Sequence, residues 1–307
     1  MKAENALRPL IIGEVLFDCF PAHRVLGGAP FNVAWNLRGL GIDPLVVTAI
    51  GKDEPGAEVQ QAMQRWGLDE SALQIDAQHA TGRVEVKVCD GEPSYQFWED
   101  VAFDHIASPP DTVAEQRLGL LYHGSLVFRS PDSRRTILEL KRSLPCPVFV
   151  DINVRQPYFD LEWAAELLTD AEHVKLNLDE LSLLSGEALA GDLGHLGDRG
   201  WDACRRSAAA LQQRYQIGNL WLTAGAEGAA WLGSAGEFEQ VPAAPVPALI
   251  DTVGAGDAFA AMAICGILAG TRPPDSLRRA AAFAAQVCGI RGAVVADRSF
   301  YPQQEIA

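Results

Sequence analysis

The chain of 307 residues is short of positive charge: 25 Lys and Arg stand against 40 Asp and Glu, a formal net charge of −15 at pH 7. Such a surface repels a nucleic-acid backbone and an anionic membrane, and both are excluded as expected partners. No C-x-x-C pair exists. The six cysteines, Cys19, Cys89, Cys146, Cys204, Cys265 and Cys288, lie far apart and suit neither a zinc site nor a small disulfide framework, so they read as free thiols in a reducing compartment. No apolar run approaches the length of a membrane span. The opening MKAENALRPLII lacks a basic segment followed by a long apolar one, and a cytoplasmic protein is expected.

Several catalytic motifs are missing too. The one Gly-Lys pair, Gly51-Lys52, has Asp53 after it and Val46 five residues ahead of Gly51, so there is no Walker phosphate loop. The first strand-like run leads to Cys19, Phe20 and Pro21 rather than to G-x-G-x-x-G, which argues against a dinucleotide-binding dehydrogenase. H-E-x-x-H and G-x-S-x-G are absent, removing the simplest metalloprotease and serine-hydrolase readings.

What is present is a globular composition, 48% hydrophobic and 21% charged. Apolar runs at Leu10–Phe17, Pro44–Ile50, Leu118–His123, Pro147–Asp151, His173–Leu176 and Asn219–Thr223 alternate with helix-period segments at Ala57–Trp66, Ser133–Ser143, Leu161–Leu168, Trp201–Tyr215 and Ser276–Ile290. This rhythm predicts a three-layer α/β/α sandwich with a mostly parallel central sheet. Gly82–Phe103 breaks the rhythm, with apolar and polar residues alternating on both sides of Asp90-Gly91, and predicts a β-hairpin. A two-stranded flap must pack on something, either a further strand near Glu14–Phe20 or a second subunit. It serves as a lid or as a plain edge hairpin. Only Gly186–Gly200 resembles a flexible loop, no stretch reads as a linker, and 1–307 is expected to be one domain with a lid built from about 14–20 and 82–103.

The segment Asp251-Thr-Val-Gly-Ala-Gly-Asp257 runs straight into the apolar helical pattern Met262–Leu268. Glycines at 254 and 256 allow a tight turn that leaves the first helical amides unshielded, and these, with the helix dipole, suit an anion. Asp257 at the mouth of that hole is either a general base for a substrate hydroxyl or a capping carboxylate. Because the overall field opposes a nucleotide, an ATP site must be locally positive.

DTVGAGDAF resembles the C-terminal signature of the ribokinase-like, phosphofructokinase-B type carbohydrate kinases. The resemblance implies ATP-dependent phosphoryl transfer to a sugar hydroxyl, with Gly254, Ala255 and Gly256 as anion hole and Asp257 as base. It extends from Asp18 to Gly292-Ala293 with the motifs in the family's order. Gly27-Gly28-Ala-Pro-Phe-Asn32 looks like the family's second signature, implying sugar contacts at Gly28 and Asn32, and Asp18 falls where the family keeps its sugar-binding aspartate. Asn177-Leu-Asp-Glu180 is similar to the N-x-x-E element, which implies that Asn177 serves the nucleotide and Glu180 acts on Mg2+ through water. Thr223-Ala-Gly225-Ala-Glu-Gly228 resembles a nucleotide-side turn, with Thr223, Gly225 and Gly228 as contacts. The family often carries K+ or another monovalent cation near the anion-hole loop, where Asp251 is either a candidate ligand or a residue that only orients the loop. His123-Gly-Ser125 and Asp151-x-Asn-x-Arg155 look fructokinase-like, which makes fructose the expected acceptor and Arg155 a substrate contact. A keto-deoxy acid such as 2-keto-3-deoxygluconate, ribose or a nucleoside is the alternative, and a non-catalytic sensor is the reading from another class. Tyr95, Phe97 and Trp98 fall in the hairpin, and the family's lids close side chains over the sugar, but the resemblance matches none of the three residue by residue. A hairpin lid can pair across a two-fold axis, so a homodimer is expected.

Overall fold

A computed structural model describes residues 7–89, 92–187, 196–246 and 248–302. In chain order the elements are β1 (Arg8–Ile12), β2 (Leu16–Cys19), β3 (Arg24–Gly27), α1 (Ala29–Gly39), β4 (Leu45–Gly51), α2 (Glu54–Trp66), β5 (Leu73–Asp76), β6 (Gly82–Cys89) and β7 (Glu92–Phe97). There follow α3 (Asp111–Ala114), β8 (Leu118–His123), α4 (Pro131–Ser143), β9 (Val148–Asp151), α5 (Ala164–Leu168), β10 (His173–Asn177), α6 (Leu178–Ser185) and α7 (Gly197–Tyr215). The chain ends through β11 (Asn219–Thr223), β12 (Ala229–Leu232), β13 (Phe238–Val241), α8 (Ala255–Leu268) and α9 (Pro273–Val287).

A nine-stranded sheet has the order β13-β12-β11-β10-β9-β8-β1-β4-β5, with every pairing parallel except those of the reversed strand β12 with β11 and β13. Alternation along each strand sends side chains to two cores. Leu10, Ile12, Val150 and Leu176 face α4, α5, α6 and α7, whereas Ile11, Tyr122, Phe149 and Trp221 face α1, α2, α8 and α9. These are the three layers that the alternating pattern predicts. α8 is apolar on nearly every side, and it is buried between α1 and α9.

Two sequence expectations need correction. Leu10–Phe17 is not one strand: β1 ends at Ile12, and β2 begins at Leu16 in a second sheet of order β3-β2-β6-β7. The break falls at Gly13, where a Cβ would lie 2.5 Å from the Pro30 ring; the chain leaves the large sheet by passing tightly over the start of α1. Within Gly186–Gly200, the residues from Gly197 onward belong to α7 rather than to a loop, and Gly186 is the left-handed C-cap of α6. The Asp90-Gly91 turn lies outside the described residues, but β6 and β7 on either side of it pair antiparallel. β2 joins them by pairing parallel with β6, which supplies the extra strand that the hairpin requires. Cys19, Cys146, Cys204, Cys265 and Cys288 are free. Among the described residues, no helix is long and apolar enough to cross a membrane.

Candidate active site

The chain crosses from β1 to β4 and β5 on one side and to β8 through β11 on the other, so the order reverses between β1 and β8. In an open α/β sheet the crevice beyond the carboxyl ends of the strands at such a reversal is where ligands bind. Three of the segments singled out from the sequence end at this edge: Asp151 closes β9, Asn177 closes β10, and Thr223 closes β11.

Gly254 begins α8 in the left-handed conformation at φ 78°, and a Cβ there would lie 2.4 Å from the Cα of Ala293. Glycine is required by both conformation and space. The Ala255 amide turns toward the Thr252 carbonyl at 3.3 Å, and the first α-helical bond runs from the Ala258 amide to the Gly254 carbonyl. The intervening amides of Gly256 and Asp257 are those for which the helix itself has no acceptor. Asp251 fixes the loop from behind, accepting from the amides of Val253 and Gly292, each at 3.0 Å.

Asp257 is the third residue of α8 and is 9% exposed. Its Oδ2 accepts a 2.8 Å hydrogen bond from Asn32 Nδ2 on α1. Burial drives its pKa up to about 6, against the Asn32 bond, while the nearby Asp151 carboxylate adds to the rise and Lys175 and Arg155 oppose it. Asn32 is itself buried and its Oδ1 has no hydrogen-bond partner.

Sequence reasoning missed Lys175. Its Nζ holds both oxygens of the fully buried Asp151, at 2.8 and 3.0 Å, because β9 and β10 pair in register at these two residues. A Cβ on Gly256 would be 3.3 Å from the same Nζ, so a paired ammonium lies directly under the turn that opens α8. The available signal was a lysine inside the apolar strand HVKL, where only a buried partner makes it tolerable. Glu14 was missed as well. It is 4% exposed, its Oε2 is unpartnered, and burial lifts its pKa to about 7 despite the fields of Arg155 and Arg129. A carboxylate just past the first strand, in GEVLFD, was its only mark in the sequence.

Asp18 on β2 is partly buried, which raises its pKa against the field of Arg155. Arg155 is exposed and acts electrostatically on Asp18, Glu14 and Asp257 alike, so these four charges share one region. At Gly28, φ 106°, a Cβ would sit 2.6 Å from the Glu14 carbonyl, which explains the glycine at the start of α1. His123 is wholly buried and stacked on Phe128, and burial depresses its pKa to about 3, leaving it neutral.

On the nucleotide side of the sequence reading, Asn177 and Thr223 are register partners on adjacent strands. Asn177 caps α6 by accepting from the Glu180 amide at 2.8 Å, and Glu180 returns the bond by accepting from the Asn177 amide at 2.7 Å. The other Glu180 oxygen accepts from the Val154 amide at 2.8 Å. Glu180 is therefore a buried brace between two loops. Beside it Val154, Gln156, Asn177, Asp179 and Leu183 line a hollow of about 290 Å³. Gly225 faces open space, whereas a Cβ on Gly228 would meet the Val241 carbonyl at 2.1 Å, so packing against β13 accounts for the second glycine. Of the hairpin aromatics, Phe97 packs edge-on against Tyr158, while Tyr95 and Trp98 stay about half exposed.

Residues 12–298 match the family model described as pfkB family carbohydrate kinase. The chain is 29% identical over 296 residues to a fructokinase of Klebsiella pneumoniae, covering 91% of each chain. It is 28% identical to an aminoimidazole riboside kinase of Salmonella typhimurium, over 84% of this chain and 80% of that one. The fold is similar to that of a fructokinase from Vibrio cholerae, with a TM-score of 0.78 at 21% identity over 97% and 96% of the two chains.

Proposed function

The chain belongs to the pfkB family of carbohydrate kinases, and from that premise we propose that it transfers the γ-phosphate of ATP to a hydroxyl of fructose with Asp257 as the general base. The single observation that carries the base assignment is the placement of Asp257, buried at the mouth of the α8 amides and held by Asn32 with its pKa at about 6. A base with that pKa is ionised at neutral pH and still close enough to it to accept a proton well.

Asn32 fixes the carboxylate through Nδ2 and keeps Oδ1 for a sugar hydroxyl; Asp18, Gly28 and Arg155 complete the sugar side. As the hydroxyl oxygen attacks phosphorus, its proton passes to Asp257. The charge gathering on the phosphoryl oxygens meets the free amides of Gly256 and Asp257 in the Gly254–Asp257 turn, with Lys175 beneath them. The fit to Mg2+ and ATP rests on the residues present: unshielded amides over a paired lysine suit phosphate oxygens, and the oxygen-rich hollow at Asn177, Asp179 and Glu180 suits a hard cation that keeps its waters. Both Glu180 oxygens already accept main-chain amides, so its part is an outer-sphere one. Mg2+ bound with ATP supplies charge neutralisation along the phosphates. Asn177, Thr223, Gly225 and Gly228 form the nucleotide side in this reading. Asp251 ties the anion-hole loop, and a K+ dependence of turnover that is lost in Asp251→Asn would support a monovalent cation beside it.

Fructose leads because a relative at 29% identity is named fructokinase, and because the fructokinase of Vibrio cholerae is described in a fructose- and ADP-bound form. The second reading, a riboside, follows from the Salmonella relative. We read 1–307 as one domain in which the small sheet is a lid built from about 14–20 and 82–103. Its exposed Val25 and Tyr95, which register places on one side of the small sheet, are the surface for a homodimer, to be read by sedimentation. Coupled ATP consumption over fructose, 2-keto-3-deoxygluconate, ribose and aminoimidazole riboside tests the acceptor: the largest kcat/KM with fructose is expected. A larger value with another member reassigns it, and binding without turnover of any of them identifies a sensor.

A further inference from the structure

Away from this edge, two histidines and an aspartate converge where the chain passes between the sheets. His79 lies in the connection from β5 of the large sheet to β6 of the small one, and Asp100 lies in the connection from β7 back to the 3-10 helix that ends at His105. His105 Nε2 is 2.8 Å and His79 Nε2 3.6 Å from the same oxygen, Asp100 Oδ1. One ligand atom from each of the three residues lies within 4.8 Å of the others. Tetrahedral zinc with bonds near 2.0–2.1 Å separates its ligands by about 3.3 Å, a value that these two distances bracket.

The far nitrogens provide the second observation. His79 Nδ1 is 2.7 Å from Asp76 Oδ2, and His105 Nδ1 is 3.3 Å from Asp132 Oδ2. Each ring thus has a carboxylate behind its Nδ1 and its Nε2 within 3.6 Å of Asp100 Oδ1, and a carboxylate behind the ring is the arrangement that orients metal-binding imidazoles and raises their basicity. The Asp76 side chain is itself held, accepting from the amides of Gln78 and His79 at 2.7 and 3.0 Å. Asp100 sits at φ 55°, a conformation uncommon for a residue with a side chain. Asp76, Gln74, His79 and His105 border a hollow of about 380 Å³, which gives an ion a path from solvent.

We infer that His79, Asp100 and His105 form a divalent-cation site of zinc type that clamps the two connections between the small and large sheets. Two imidazoles and one carboxylate favour Zn2+ or a neighbouring transition ion over Mg2+ or Ca2+, with water in the remaining position. The rings are stacked with centroids 3.7 Å apart and 13° between planes. A cation in the plane of both rings requires them to splay, so binding must move the ring-proton resonances of both histidines. The site stands apart from the kinase reading and does not depend on it.

The test is titration of the full chain with Zn2+ against a chromogenic chelator, for the natural protein and for His79→Gln, His105→Gln and Asp100→Asn. The expected result is one high-affinity Zn2+ per natural chain. Each histidine substitution should weaken it by about 100-fold, and hydrogen exchange at residues 77–81 and 98–101 should slow on Zn2+ addition only in the natural protein. Far-ultraviolet circular dichroism shows whether each variant is folded, and Asp100→Asn, at an exposed position, serves if a histidine variant is not. Uptake that is absent in the natural protein, or unchanged in folded variants, overturns the site.

Discussion

α6 and α8 both start at the carboxyl edge of the large sheet, and both carry an acid as their third residue, yet they spend it differently. In α6, Asn177 caps the helix and Glu180 reaches back to the cap amide, so the first turn is closed upon itself. In α8 the cap is Gly254, which has no side chain to offer, and Asp257 reaches away to Asn32 on another helix. The amides of the first turn are left for a ligand. A capping box yields a rigid end, while a glycine cap with an outward-turned carboxylate leaves unshielded amides with a carboxylate beside them, the arrangement on which the proposed anion hole and base rest.

The largest effect that would break this contrast is Asp257→Asn. Removing a general base lowers kcat by about 10²–10⁴-fold, with nucleotide affinity nearly unchanged, as stopped turnover and equilibrium binding would read. The amide also removes a charge that burial disfavours. The folded-state pKa of Asp257 is raised from 3.8 to about 6, so the stability it contributes is fully present below the lower value and is lost as pH rises through the higher. The variant should therefore match the natural protein in thermal unfolding at low pH and exceed it above pH 6. In the natural protein kcat/KM should climb through about pH 6 as the base ionises.

Next in size is Lys175→Met, which leaves Asp151 buried without its cation. A cost of about 3–5 kcal/mol in urea unfolding is expected. Adding Asp151→Asn should recover part of it. Because Lys175 also holds the pKa of Asp257 down, the rising limb of the pH profile should move upward in whatever active fraction remains. Gly254→Ala comes third: a left-handed φ and a contact at 2.4 Å with Ala293 displace the loop. A misplacement of that order lowers kcat/KM by about 10²-fold, with a smaller loss in Tm.

The open helix was legible before any coordinates, because glycines at 254 and 256 followed by Asp257 and an apolar helix state a local geometry. The layer order was legible for a similar reason, since strand and helix periods are local. What could not be read were relations across the chain. Periodicity does not mark where one strand ends and another begins, so Leu10–Phe17 reads as one run although Gly13 divides it; that a strand near Glu14–Phe20 could join the hairpin followed instead from the hairpin's need for a partner. Lys175 and Asp151 are 24 residues apart and meet only through strand register. His79 and His105 come together only because β6 and β7 lie between them as an excursion into another sheet.

The smallest effect sharpens the contrast from the closed side. In Glu180→Gln one oxygen becomes an amide nitrogen, so either the Asn177 or the Val154 amide loses its acceptor. The loss for a buried main-chain donor is about 1–3 kcal/mol at most, and near 1 kcal/mol if the first turn relaxes toward water. If α6 were only a rigid end, Tm would fall while the Mg2+ dependence of turnover stayed the same. The outer-sphere part proposed for Glu180 predicts in addition that half-maximal activity needs several-fold more Mg2+, since the variant removes a negative charge next to the hollow at Asn177 and Asp179. Initial rates across a Mg2+ series at saturating ATP and fructose separate the two: a lower Tm with an unshifted Mg2+ curve would reduce Glu180 to a cap and leave the chemistry entirely to the open helix.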